Sequence, residues 1–204
     1  MKNFLLFSAA ALLLSLAGCS TEPPAQQKKA EVSPPEPVTG RQALQPMFIA
    51  ARGWAADIQI VRLTSILLPD VKSEPGKAAA WQAIFFSASQ NRAKSYTYSV
   101  IESEGNLHKG VFAGPDQSWS SSGEAKPFLM AAVKVDSDQV YQTALKKGAE
   151  YDKKNPGKPI VFLLEANDKF PDVSWRVIWG ESAGTSNFSI YVDASTGLYL
   201  ETIH

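Results

Sequence analysis

Few side chains in this sequence of 204 residues have the types or spacing to do chemistry. The only thiol is Cys19, directly after Leu16-Ala17-Gly18, so no intrachain disulfide can form. The two histidines, His108 and the terminal His204, make no H-E-x-x-H zinc spacing, and no G-x-S-x-G elbow marks a nucleophilic serine. Asp193-Ala194-Ser195-Thr196-Gly197 supplies one carboxylate, well short of the six or more oxygens that calcium takes. Its residue types suit a turn instead: an Asp that can bond back to nearby backbone, small polar residues, and a Gly able to take positive φ. Asp168, Asp172 and Glu181 read as solvated loop positions rather than a metal cluster. The expectation is a protein with no catalytic residue, metal or cofactor, and not an enzyme.

The chemistry that Cys19 can do follows from what precedes it. Lys2, an apolar stretch from Phe4 to Leu16 and small residues before a cleavage point are the parts of a secretory signal, and about a dozen apolar residues are too few to span a bilayer. The Leu16-Ala17-Gly18-Cys19 run resembles the lipobox of bacterial lipoproteins. That resemblance implies a signal peptide over 1–18, cleavage before Cys19, attachment of a diacylglycerol to its thiol and acylation of its new amine, typically with palmitate. Two or three acyl chains hold a protein stably at a membrane where one holds it only marginally. The residue after the cysteine is Ser20 and not the aspartate of inner-membrane retention, which by the same resemblance implies the outer membrane, facing the periplasm.

Charge narrows the partners. The chain carries 20 basic and 20 acidic side chains and no long Lys or Arg run, so nucleic acid is not an expected partner. Residues 19–40, with five prolines and no aromatic residue, read as the lipidated Cys19 followed by a disordered, partly polyproline-like tether.

From residue 41 the apolar content rises and the class is α+β. A helical stripe through Leu44, Met47, Phe48, Ala51 and Trp54, with Pro46 either at its first position or kinking it, precedes strand-like runs at Val61 to Leu68, Trp81 to Phe86 and Tyr96 to Ile101. A second helical stripe, through Val140, Ala144, Leu145 and Tyr151, starts behind Asp136-Ser137 and stops at Asn155-Pro156-Gly157. Runs at Ile160 to Leu164, Trp175 to Trp179, Phe188 to Asp193 and Leu198 to Thr202 follow it. The order occurs twice, and reads as two helix-plus-antiparallel-meander repeats, 41–125 and 126–204. Gly105 and Gly197 set the alignment between them, which equates Tyr96 with Phe188 and gives the first copy a slightly longer loop.

The second repeat, with W-x-V-x-W at Trp175 to Trp179 and then FSIYVDASTGLYLET, resembles the PepSY-like domains of exported and membrane-attached bacterial proteins, over about Val133 to Thr202. The first half follows only in outline, and a long segment, Gly110 to Pro127, separates the two. The resemblance implies a non-catalytic module that binds a protein or peptide of the cell envelope, a peptidase among the candidates. Trp54, Trp81, Trp175 and Trp179 lie on helix or strand stripes and are expected in the core, whereas Trp119, on a Gly-, Ser- and Pro-rich segment, is the candidate partner contact. A small-ligand carrier with its cavity where two sheets meet, and an envelope hydrolase with an unrecognised carboxylate pair, are the alternative readings.

Overall fold

A computed structural model describes residues 34–105, 107–120 and 125–204. The expected signal peptide, Cys19 and most of the expected tether lie outside the described residues. The folded domain begins earlier than residue 41, because Pro37 is buried and Val38–Thr39 forms a short strand, β1, paired with β3 (Lys77–Ala78).

Thr39 also opens the first helix, α1 (Gly40–Arg52). Its hydroxyl accepts the Gln42 backbone NH at 3.3 Å, while the Gln42 side chain accepts the Thr39 NH at 2.9 Å. This reciprocal pair satisfies two donors that a helix start leaves unpaired. Ala43, Leu44, Met47 and Ala51 form the buried stripe, and Pro46 sits inside the helix rather than at its first position. The second helix, α2 (Ser137–Lys154), repeats the device with Asp136 as cap and Gln139 reaching back, and buries Val140, Ala144 and Gly148.

The main strands are β2 (Ile58–Ile66), β4 (Ala80–Ser87), β5 (Arg92–Ser99), β6 (Gly110–Ser118), β7 (Ile160–Glu165), β8 (Ser174–Trp179), β9 (Ser189–Asp193) and β10 (Tyr199–Ile203). They form one antiparallel sheet in the order β10-β9-β8-β7-β2-β4-β5-β6. Each helix is thus followed by a four-stranded meander, and the meanders join where β2 runs antiparallel to β7, with Leu63 opposite Leu164. Because the halves share one continuous sheet, there is no gap between two sheets of the kind a carrier cavity was expected to fill.

Both helices cover one face, where Trp81, Ala83 and Phe85 of β4 and Trp175, Val177 and Trp179 of β8 alternate inward and pack with helix residues into one core cluster. On β9 the opposite face would, in an antiparallel sheet with one solvated side, meet water. Instead Ser189 and Tyr191 are buried there, Tyr191 beneath the Phe170 ring at 4.5 Å.

Two further expectations are corrected. The Gly110 to Pro127 segment is not a long irregular connection, since Gly110–Ser118 is the edge strand β6, and Pro115 is tolerated there because an edge strand needs only half its backbone donors. Nor do the glycines align the halves. Trp81 lies opposite Tyr98 and Ala83 opposite Tyr96, while Trp175 lies opposite Val192 and Val177 opposite Ile190. A constant offset of 94 residues (175 − 81) relates the paired positions of the two hairpins, so Tyr96 corresponds to Ile190, while the stretch between the strands is residues 88–91 in the first and 180–188 in the second.

Candidate partner-binding site

A sheet edge presents unpaired backbone NH and C=O groups, and the side chains around it decide whether another strand can add there. The two edges here differ. On β6, Pro115 removes a donor, Gly110 and Gly114 weaken the strand, the ladder shifts register between Lys94 and Tyr96, and Arg92 ties Asp116 at 2.6 Å. This edge is blunted.

The other edge, β10, carries neither Pro nor Lys. Its ladder with β9 shifts between Tyr199 and Glu201, which leaves Leu200 without a partner on β9. Leu198, Tyr199 and Leu200 are 66%, 37% and 38% exposed, a run of three apolar residues in the open.

What holds β10 in place is the turn before it. Asp193 Oδ1 accepts the backbone NH of Ser195 at 2.8 Å, the Ser195 hydroxyl at 2.7 Å and the NH of Thr196 at 2.7 Å, while Gly197 takes φ +75. The turn read from the sequence is therefore present, and no calcium loop is needed to explain Asp193. Burial pushes its carboxyl up, but the hydrogen bonds from Ser195 and Thr196 outweigh that and hold it below the usual aspartate range. The α2 surface flanks the strand: Thr143 donates its hydroxyl to the Gly197 carbonyl at 3.2 Å, and the Lys147 ammonium lies 4.9 Å from the Tyr199 ring. On the other side, Lys169 pairs with Glu201 at 2.5 Å.

Trp119 is elsewhere. It follows β6 at the opposite edge of the sheet, half-buried, its ring 5.0 Å from Phe86 and its backbone NH donating to the Asn91 carbonyl at 3.2 Å. The indole covers an apolar residue on the face that the helices leave open. Of the other tryptophans, Trp81, Trp175 and Trp179 are fully buried, and Trp54 packs against the core just past α1. His108 Nδ1 lies 2.6 Å from Glu102 Oε1, whereas His204 packs against Phe188, so the histidines do not meet. Asp168 pairs with Lys126 at 2.6 Å. Among the described residues no three His, Cys, Asp or Glu side chains cluster as metal ligands would, and no helix is long and apolar enough to cross a membrane.

Sequence reasoning found the Asp193 turn and the run after it but did not single out Leu198, Tyr199 and Leu200 as a surface. The signal available was their failure to alternate, since adjacent apolar residues at the last strand of a meander cannot all face the core.

No protein-family model matches the chain, and no curated protein matches it. Among solved structures the chain is similar to CD1622 of Clostridium difficile 630, a candidate lipoprotein, at 10% identity and a TM-score of 0.46, over 78% of this chain and 91% of that one.

Proposed function

We propose that this chain is a lipid-anchored envelope lipoprotein whose α+β domain acts by binding and not by catalysis, taking an extended segment of an envelope protein as an added strand along β10. The observation that carries the reading is the asymmetry of the sheet edges. One is blunted by Pro115 and the Arg92–Asp116 pair, and the other is open and lined by Leu198, Tyr199 and Leu200. Strand addition draws affinity from backbone hydrogen bonds and selectivity from alternate side chains.

The Leu16 to Cys19 run supports acylation of Cys19, and Ser20 supports an outer-membrane destination facing the periplasm. The likeness to PepSY-like domains makes a peptidase the partner class to test first. The shared order of helix and meander, together with the 94-residue offset, supports descent of the two halves from one duplicated unit.

The test is a photocrosslinking amino acid placed in living cells at Leu198, next to β10, and, separately, at Phe112 on the blunted edge. One envelope protein captured from Leu198 and not from Phe112, and lost when Leu200→Pro is added, is the expected result. Equal capture from both positions, or capture that survives Leu200→Pro, would remove β10 as the site. Cys19→Ala should shift the protein from the membrane fraction to the soluble one, and unchanged membrane retention would dispose of the anchor.

A further inference from the structure

The ends of the two central strands hold a feature that partner binding at β10 does not use. Beyond the end of β2 and the start of β7 lies an open cavity of about 400 Å³, inside the range of about 300–1,000 Å³ that small-molecule sites occupy. Leu67, Ile160, Phe162 and the ring of Tyr141 give it apolar walls. Its mouth is basic. Lys72 has no ion-pair partner among the described residues, and Lys158 is held by its ammonium donating to the Tyr151 hydroxyl at 2.7 Å. The carboxylate on the lining, Glu74, is already paired with Lys77 at 2.9 Å.

Tyr141 adds a donor. Its ring packs on Phe162 at 6.4 Å, and its hydroxyl has no hydrogen-bond partner among the described residues. A tyrosine hydroxyl is protonated at neutral pH, and burial only raises its pKa further, so it can donate to an anion there.

We propose that this cavity binds a small anionic amphiphile, a carboxylate bearing an apolar tail, with the tail against Phe162 and Ile160 and the head between Lys72, Lys158 and the Tyr141 hydroxyl. Apolar walls alone would take a neutral hydrocarbon, and basic side chains alone would take any anion. Their combination selects a molecule that has both parts.

The experiment is calorimetric titration of the full-length chain with decanoate, with decanol and decyltrimethylammonium as neutral and cationic counterparts. Decanoate is expected to bind more tightly than either. Lys72→Glu should weaken it by about fivefold or more, since reversing one mouth charge replaces an attraction with a repulsion. Tyr141→Phe should weaken it while keeping the packed ring, and Leu67→Trp, which fills the cavity, should abolish it. Each variant is compared only where its melting temperature matches the parent, and Lys72→Glu, an exposed change, keeps the test decisive if the others unfold. No decanoate binding, equal binding of all three amphiphiles, or unchanged affinity in Lys72→Glu would overturn the assignment. None of these outcomes bears on capture at Leu198, which lies on a different part of the sheet.

Discussion

Trp81 and Trp175 meet edge to face, their rings 6.3 Å apart at 76°, and each donates its indole NH to the carbonyl just ahead of a helix cap: Val38 before Thr39 at 3.1 Å, Val135 before Asp136 at 3.0 Å. One residue type thus fills the centre of the core and fixes where both helices begin. Replacing either by Phe keeps most of the packing but strands a carbonyl, and should destabilise the fold by about 1–3 kcal/mol. Chemical denaturation of the two single variants and the double variant measures this. Because the rings touch, the double variant should depart from the sum of the singles by about 0.5 kcal/mol or more, and strict additivity would show that the rings are not coupled.

Asp136 caps its own helix and reaches the other. Its Oδ1 accepts the backbone NH of Ser137 at 2.7 Å and of Arg41 at 2.9 Å, and its Oδ2 accepts the Thr39 hydroxyl at 2.6 Å. A carboxylate between two helix N-termini opposes two partial positive charges at once. Asp136→Ala should therefore cost more than an ordinary cap, about 2–4 kcal/mol against the usual 1, whereas Thr39→Ala should cost about 1 kcal/mol. Equal losses in the two variants would show that the shared role of Asp136 contributes nothing.

Two glycines with nearly the same backbone separate conformation from crowding. Gly76 and Gly105 have φ +75 and +76, but a Cβ on Gly76 would lie 2.2 Å from the Asp138 Cα, and one on Gly105 meets nothing within 4 Å. Gly76 also supplies the carbonyl that accepts the Ser137 hydroxyl at 2.6 Å. Gly105→Ala should cost only the left-handed backbone, about 1–2 kcal/mol. Gly76→Ala must also move the start of α2, and should cost at least about 3 kcal/mol. Thermal unfolding of the pair decides it, and equal melting temperatures would contradict the crowding.

Features set by neighbours in the chain were legible in advance. Asp136-Ser137 marked the start of α2, Asn155-Pro156-Gly157 its end, and DASTG its turn, because each acts through hydrogen bonds only a few residues long. What was missed depends on distant partners. Strand β6 was hidden because GVFAGPDQS contains Pro and two Gly, which local preference rejects and pairing with β5 overrides. Thr39 looked like part of a Pro-rich tether until its hydroxyl met Asp136, 97 residues away. The glycine alignment of the halves was two residues off, because Gly105 follows an irregular loop and Gly197 closes a tight turn. The residue that matches Asp193 under the 94-residue offset is Ser99, whose hydroxyl oxygen accepts the Ile101 NH at 3.3 Å much as Asp193 accepts that of Ser195. The lack of alternation at Leu198 to Leu200 could have marked an exposed surface, but that this run ends the sheet follows only from the strand order.

The Asp193 turn gives the stability a definite pH dependence. Its carboxyl is held below the usual aspartate range in the folded chain, and unfolding returns it to about 3.9. The unfolded state therefore takes up the proton first as pH falls. The stabilisation from this group is complete above the unfolded value, declines as pH drops through it toward the lower folded value, and is gone below both. Asp193→Asn keeps one acceptor oxygen but cannot titrate, so between about pH 5 and 2 its stability should fall less steeply than that of the parent. Urea midpoints of the two proteins, taken at successive pH values with salt held constant, should converge toward the acid end. Parallel curves would show that Asp193 titrates alike in folded and unfolded chains, and that its three hydrogen bonds do not favour the charged form.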